Sequence, residues 1–176
     1  PAGVYNDVFY CNATSRFYAV GNGVLAVSTG STGTGWTAIA LPSGDNNYST
    51  IGYINGIFVL FGPNICRTTT DFVTFTLRTT AGGNYLKLRG NSANASTNTR
   101  LVVVGDGVAL TSTNGTSWAV TSMPPGRFTD LAYSAALGYW IAIKAGGVAV
   151  SADGFTFTSR LMANASNWRA VVAGSD

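Results

Sequence analysis

Short apolar runs alternate with small polar turns along the whole chain, and no run is long enough to span a membrane. The four most apolar runs are "FYAV" at 17–20, "FVLF" at 58–61, "LVVV" at 101–104 and "WIAI" at 140–143. Continuous runs of this length are typical of strands that are buried on both faces. Each is followed by a turn of Gly, Asn, Asp or Pro, and then by an alternating run such as "VALTS" at 108–112. The pattern therefore predicts hairpins of an all-β protein.

Two markers repeat along the chain about every forty residues. One is an aromatic residue that ends a polar turn, and it recurs at Trp36, Phe75, Trp118 and Phe157. The other is an aromatic residue followed three positions later by an aliphatic one: Tyr5 and Val8, Tyr48 and Ile51, Tyr85 and Leu88, Phe128 and Leu131, Trp168 and Val171. Shared periodicity of two markers indicates a repeat protein. We expect one domain over 1–176 with repeats at 4–45, 46–82, 83–126 and 127–166, and a partial repeat at 167–176.

Each repeat has room for four short strands, of which the first carries the aromatic-aliphatic marker. Four strands every forty residues, joined by short turns, are typical of β-propeller blades, which bury their faces against neighbouring blades. A β-sandwich also has closely spaced strands, but it does not require the same markers in every repeat. We therefore predict a β-propeller-like fold of four repeats plus the first strand of a fifth, with the four closing aromatics largely buried.

The turn before the closing aromatic reads "TTDFVTF" at 69–75, "STNGTSW" at 112–118 and "SADGFTF" at 151–157, while the first copy, "STGSTGTGW" at 28–36, is longer and has no Asp or Asn. An Asp or Asn side chain can cap the backbone two residues on, and Gly accepts a left-handed conformation. We interpret five residues as turn builders: Asp71, Asn114, Gly115, Asp153 and Gly154.

This turn resembles the Asp-box turn, Ser-x-Asp-x-Gly-x-Thr-Trp, of sialidase-like repeat propellers, although three copies are one residue shorter. The whole unit is similar to the repeats of photosystem II assembly factors and of propeller modules in bacteriophage tail proteins. The resemblance covers nearly the whole chain, and it implies the fold much more specifically than the function.

The amino-acid composition excludes several kinds of catalytic and binding site. The chain has no histidine, and its seven acidic residues are all aspartate, so histidine-based triads, histidine metal sites and a glutamate glycosidase pair are excluded. The net charge is +3 and the eight arginines are scattered, unlike the basic stripe of a nucleic-acid-binding protein. We predict no enzymatic activity, no cofactor, no metal and no nucleic-acid partner. Cys11 and Cys66 are expected to be buried thiols, since one possible bridge is no disulfide framework.

Candidate binding residues occupy repeated positions. Two residues after the marker aromatic lie Asp7, Thr50, Lys87, Asp130 and Ala170, which would face the central channel if first strands are innermost. Two residues after the marker aliphatic lie Tyr10, Tyr53 and Tyr133, aromatics of the kind that sugar sites use. The alternative is that the first set only lines a solvated channel.

Three functions remain open. The first, which we favour, is a virion component of a tailed phage that serves in receptor binding or assembly; the alternatives are a carbohydrate-binding lectin and an assembly factor for a larger complex. The expected partners are other virion proteins or subunits and a cell-surface glycan, with no membrane insertion. The expected location is the virion, or otherwise a secreted or periplasmic setting.

Five first strands for four repeats leave one strand over, either 4–10 or 168–174. The leftover strand could belong to a larger propeller, lie against a neighbouring subunit by strand addition, or pack irregularly within its own chain. We favour the neighbouring subunit, and hence an oligomer or a larger assembly.

Overall fold

The computed structural model describes residues 1–44, 47–92, 94–162 and 166–173. These residues form four antiparallel four-stranded sheets, here called blades 1 to 4 in chain order. Blade 1 contains β1 (Val4–Cys11), β2 (Arg16–Asn22), β3 (Leu25–Ser28) and β4 (Trp36–Ala38). Blade 2 contains β5 (Thr50–Ile54), β6 (Ile57–Gly62), β7 (Ile65–Thr69) and β8 (Thr76–Leu77). Blade 3 contains β9 (Asn84–Gly90), β10 (Leu101–Asp106), β11 (Ala109–Ser112) and β12 (Ala119–Val120). Blade 4 contains β13 (Phe128–Ser134), β14 (Tyr139–Lys144), β15 (Gly147–Ser151) and β16 (Thr158–Arg160).

Each blade is a meander in which strands pair in chain order, as the repeat predicts. A single 3-10 turn, Ala95–Thr97, interrupts the β structure in the described part of the chain, between β9 and β10. The turns between second and third strands carry a left-handed residue in every blade: Gly23, Asn64, Gly107 and Gly146. These positive φ angles match the Gly and Asn turn signals of the sequence. The predicted all-β class and the four repeats of four strands are confirmed.

The blades stack in series, and the core lies between them. The first strands are innermost, with β1 packed on β5, β5 on β9 and β9 on β13. β13 and β1 make at most slight contact, and Tyr5 and Val8 of β1 are exposed, so the described part of the chain does not close a ring of four blades. We call the face of a blade that contacts the preceding blade its leading face and the opposite one its trailing face.

Three apolar clusters fill the three interfaces between blades. Between blades 2 and 3, for example, Val59 and Phe61 of the trailing face pack with Leu88, Val103 and Trp118 of the leading face. Equivalent clusters join blades 1 and 2 around Tyr48 and blades 3 and 4 around Phe128. Burial of these side chains is what holds the series together, at about 25 cal/mol per Å² of apolar surface.

A repeated backbone bridge marks each seam between blades near the channel. It joins the end of a second strand to the start of the next first strand: Asn22 with Asn47, Pro63 with Asn84, Asp106 with Arg127 and Ala145 with Asn167. The fourth bridge lies where a fifth blade would begin. Residues 166–173 therefore continue the series on the trailing face of blade 4.

The leftover first strand is thus the C-terminal copy, and it lies on its own chain. Gly146 donates its N–H to the Ser166 carbonyl at 3.0 Å, and Val171 donates its N–H to Asp130 Oδ2 at 2.9 Å. The segment forms no ladder in its described residues beyond the bridge at Asn167. The last three positions of the predicted partial repeat, 174–176, lie outside the described residues, as do 45–46, 93 and 163–165.

The four closing aromatics are buried to different extents. Phe157 is buried, but Trp36, Phe75 and Trp118 are half-buried. The three half-buried residues lie at or next to outer strands of only two or three residues. Their position is nevertheless shared, since the indoles of Trp36 and Trp118 both donate to the carbonyl three residues earlier, at 2.8 and 3.2 Å.

The two cysteines are unbonded and buried, as predicted. Cys11 lies in the cluster between blades 1 and 2, and Cys66 in the cluster between blades 2 and 3. Burial raises the pKa of the Cys66 thiol to about 12. That thiol is therefore protonated at neutral pH and is a packing group rather than a nucleophile.

Candidate functional site

Three of the predicted channel residues come together where the first strands of blades 1, 2 and 3 approach one another. The carboxylate of Asp7 accepts a hydrogen bond from the Thr50 hydroxyl at 2.6 Å and pairs with the Lys87 ammonium at 2.7 Å. Arg89, which the sequence did not single out, lies 3.5 Å from the same carboxylate. We call these four residues the Asp7 cluster.

A β-bulge brings Asp7 into this position. The pairing of β1 with β2 shifts between Tyr5 and Asp7, so that Asn6 has no partner on β2. Gly21 permits the close approach, because a Cβ at that position would collide with the Val4 carbonyl. β9 and β13 are bulged at the same place, next to Lys87 and Asp130. The repeated bulge is the local reason why these side chains share one register.

Both oxygens of the Asp7 carboxylate are contacted by donor groups of the protein itself. Oδ1 also accepts the Val8 N–H at 3.1 Å, and Oδ2 lies 3.5 Å from the Ile51 N–H. Its side chain is 3% exposed. Through these contacts the buried carboxylate joins three blades. Removal of its charged partner Lys87 would leave the negative charge of Asp7 less compensated inside the protein.

Asp130 has the equivalent place in blade 4 but does not join the Asp7 cluster. Its Oδ1 accepts the Leu131 N–H at 2.9 Å and its Oδ2 holds the Val171 N–H. Asp130 therefore connects blade 4 to residues 166–173, as Asp7 connects blade 1 to blade 2. Ala170, the fifth residue of the predicted channel set, is exposed.

A polar hollow of about 450 Å³ opens at the end of the channel where the first strands begin. We call it the amide hollow, since four asparagines line it: Asn6, Asn22, Asn47 and Asn84. Arg127 also lines it and pairs loosely with Asp106 at 3.6 Å. Only the strand-to-strand register brings these residues together, so no sequence motif could have identified them.

A second hollow, of about 290 Å³, opens where β1, β5 and β9 end. We call it the tyrosine hollow, because Tyr10 and Tyr53 line it together with Arg89. Each tyrosine ring packs at a tilt against an aromatic residue of the adjacent second strand, with ring centroids 4.8 Å apart for Tyr10–Phe17 and for Tyr53–Phe58. Burial raises the pKa of Tyr53, so its hydroxyl stays protonated and can donate.

Tyr133 packs in the same tilted way, with its ring centroid 4.9 Å from that of Trp140, but does not line the tyrosine hollow. The corresponding residue of blade 3 is Gly90, and the Asn98 side chain occupies the space that a side chain there would need. Asn98 donates to the Tyr53 carbonyl at 2.9 Å, while its buried Oδ1 has no hydrogen-bond partner. The three predicted tyrosines therefore separate into two that share a hollow and one that does not.

The residues interpreted as turn builders cap their own turns. Oδ1 of Asp71, Asn114 and Asp153 accepts two backbone N–H groups, two and three residues on, at 2.8–2.9 Å. The N–H groups of Thr156 and Phe155 lower the pKa of Asp153 to about 2. Gly115 and Gly154 are left-handed, and Phe72 has the same conformation in blade 2. The observed contacts of these side chains therefore indicate a structural role rather than a ligand-binding one.

Within the described residues, no group of three His, Cys, Asp or Glu side chains is placed to hold a metal ion. No helix in the same part of the chain has the length and apolarity that crossing a membrane requires.

No protein-family model matches the chain, and no curated protein does. Solved structures do match. A streptogramin B lyase aligns with a TM-score of 0.71 at 12% identity over 89% of this chain and 54% of that one. A nidogen/laminin complex aligns with a TM-score of 0.73 at 13% identity over 99% and 70%. A GH74 enzyme of Niastella koreensis aligns with a TM-score of 0.64 at 20% identity over 94% and 25%.

The fold is a β-propeller. These neighbours have propeller folds, and at such identities the likeness concerns the fold alone. The chain spans about half the length of the lyase that it matches. The propeller prediction made from the repeat is confirmed.

Proposed function

We propose that this propeller is a non-catalytic binding module of a tailed-phage virion, which recognises a cell-surface glycan through the tyrosine hollow. The observation that carries the proposal is the convergence of Tyr10, Tyr53 and Arg89 on one hollow. Aromatic faces suit the apolar C–H face of a sugar ring, and a guanidinium and amides suit its hydroxyls. The volume of about 290 Å³ fits one or two sugar units.

The hydrogen bonds and the ion pair of the two channel aspartates support a role without catalysis. Glycoside hydrolysis usually needs two carboxyl groups flanking the bond, one to donate a proton and one to act as nucleophile or base. Asp7 is held by an ammonium, a hydroxyl and backbone N–H groups, and Asp130 by two backbone N–H groups. Neither carboxylate is offered to the tyrosine hollow.

The virion setting is supported by composition and by the resemblance of the repeat to phage tail propeller modules. Low charge and abundant Gly, Asn, Ser and Thr suit an exposed, densely hydrogen-bonded β structure. The partners that follow are other virion proteins and a bacterial surface glycan.

The test is a glycan array that includes bacterial surface polysaccharide fragments, followed by calorimetry on the best binder. We expect Tyr10→Ala to weaken binding at least tenfold, because it removes one wall of the hollow. Tyr133→Ala is the matched control, since that tyrosine packs against an aromatic ring in the same tilted way outside the hollow. A folded wild-type chain that binds no glycan, or equal loss in both variants, contradicts the proposal.

A further inference from the structure

Within the described residues, no blade covers the leading face of blade 1. Its marker residues Tyr5 and Val8 are 38% and 57% exposed. At the same positions blades 2, 3 and 4 have residues that are 0–1% exposed: Tyr48, Ile51, Tyr85, Leu88, Phe128 and Leu131. An apolar surface of this kind marks an interaction site.

The molecule itself shows what fits such a face. Each of the three internal interfaces packs a leading face against the trailing face of another blade, with apolar side chains on both sides. The surface that complements blade 1 is therefore a trailing face, and within the described residues the trailing face of blade 4 is covered only by the segment 166–173. There Ile141 and Val150 remain half-exposed, although Val59 and Val102, which correspond to Ile141, are fully buried.

We propose that a second copy of this chain covers blade 1, with the trailing face of its blade 4 packed on the leading face around Tyr5 and Val8. The contact continues an interface that the chain already forms three times. It is head-to-tail, so each copy can use both of its ends, and the series either closes or extends. This inference does not rest on the glycan proposal, although Val8 also lines the tyrosine hollow.

Residues 166–173 lie where the first strand of the incoming copy would go. Polar contacts hold this segment, among them the bridge of Asn167 with Ala145 and bonds of Gly146 to Ser166, Thr129 to Trp168 and Val171 to Asp130. β1 of the second copy would replace it and offer the same backbone groups. The segment therefore competes with association rather than providing the contact.

Sedimentation velocity over a range of concentrations tests the contact. We expect wild-type protein to associate, and Val8→Asp to raise the dissociation constant at least 100-fold by placing a charge in the interface. Val120→Asp is the matched control, because Val120 is a strand valine of similar exposure, 60%, on an outer strand. It should associate like wild type. A wild-type chain that stays monomeric at millimolar concentration overturns the proposal, as does equal behaviour of the two variants.

A mixing experiment tests the head-to-tail geometry. Val8→Asp keeps an intact trailing face and Val150→Asp keeps an intact leading face, so each variant alone should be monomeric and their mixture should form pairs only. Both substituted residues are partly exposed, and circular dichroism checks that each variant folds. A chain truncated after residue 165 should associate more tightly than wild type. A mixture that stays monomeric, or a truncated chain that associates less, contradicts the proposed exchange.

Discussion

Blade 1 and blades 2 to 4 have the same four strands, yet blade 1 differs from them in two ways. Its marker residues Tyr5 and Val8 are exposed, whereas the corresponding pairs of the later blades are buried. Its turn before the closing aromatic contains no Asp or Asn, whereas the later turns are each capped by a side-chain oxygen. A repeat therefore fixes the strand pattern, while the neighbouring blade decides what each position contributes to stability.

The reason is that a blade has little core of its own. The three apolar clusters all lie between blades, so a leading-face side chain gains its burial from the blade before it. In repeat proteins, stability accordingly divides into intrinsic and nearest-neighbour terms. In a single chain, blade 1 therefore lacks the stabilisation that the later blades gain by packing on a preceding blade.

The largest expected difference concerns the marker aliphatic residue. Ile51→Ala should lower the free energy of unfolding by about 4 kcal/mol, since Ile51 is fully buried between blades 1 and 2. Val8→Ala, at the same position of blade 1, should cost less than about 0.5 kcal/mol in dilute protein. Urea unfolding followed by tryptophan fluorescence measures both. Similar losses would mean that the leading face of blade 1 is covered in solution even in dilute protein.

The closing tryptophans give a smaller contrast. Trp118 packs edge-on against Phe61, with ring centroids 4.8 Å apart, beside the cluster of blades 2 and 3. Trp118→Ala should therefore cost about 3 kcal/mol, at the lower end of the range for such truncations because the ring is half-buried. Trp36 belongs to no cluster between blades, and Trp36→Ala should cost about 1 kcal/mol. Thermal unfolding ranks the two, and a larger loss for Trp36 would contradict the neighbour argument.

The sequence predicts what a single repeat determines and misses what two repeats determine together. The marker spacing identified the blades, the left-handed turns and the caps at Asn114 and Asp153, because hairpins and Asx turns are local. It placed Asp7, Thr50 and Lys87 in one register, and the structure joins them. It could not distinguish Tyr133 from Tyr10 and Tyr53, since that difference depends on how the blades are arranged around the channel.

Arg89 and the amide hollow were also missed. Arg89 is one of eight scattered arginines, and only the approach of β9 to β1 brings it near Asp7. The pattern also does not show that the outer strands beside Trp36, Phe75 and Trp118 have only two or three residues.

The smallest expected effect concerns the capped turns that blade 1 lacks. Backbone N–H groups lower the folded pKa of Asp153 to about 2, below the value of about 3.9 for an unfolded chain. The unfolded state then binds the proton first, so the stability from this group is present above about pH 4 and is lost as the pH falls through about 2. Asp153→Asn keeps an oxygen acceptor, as Asn114 does in blade 3. It should change stability little at pH 7 and should make the unfolding midpoint in urea fall less between pH 4 and pH 2. Asn114→Asp is the converse variant and should make that fall steeper. If neither substitution alters the acid dependence, the caps do not contribute to stability through their charge.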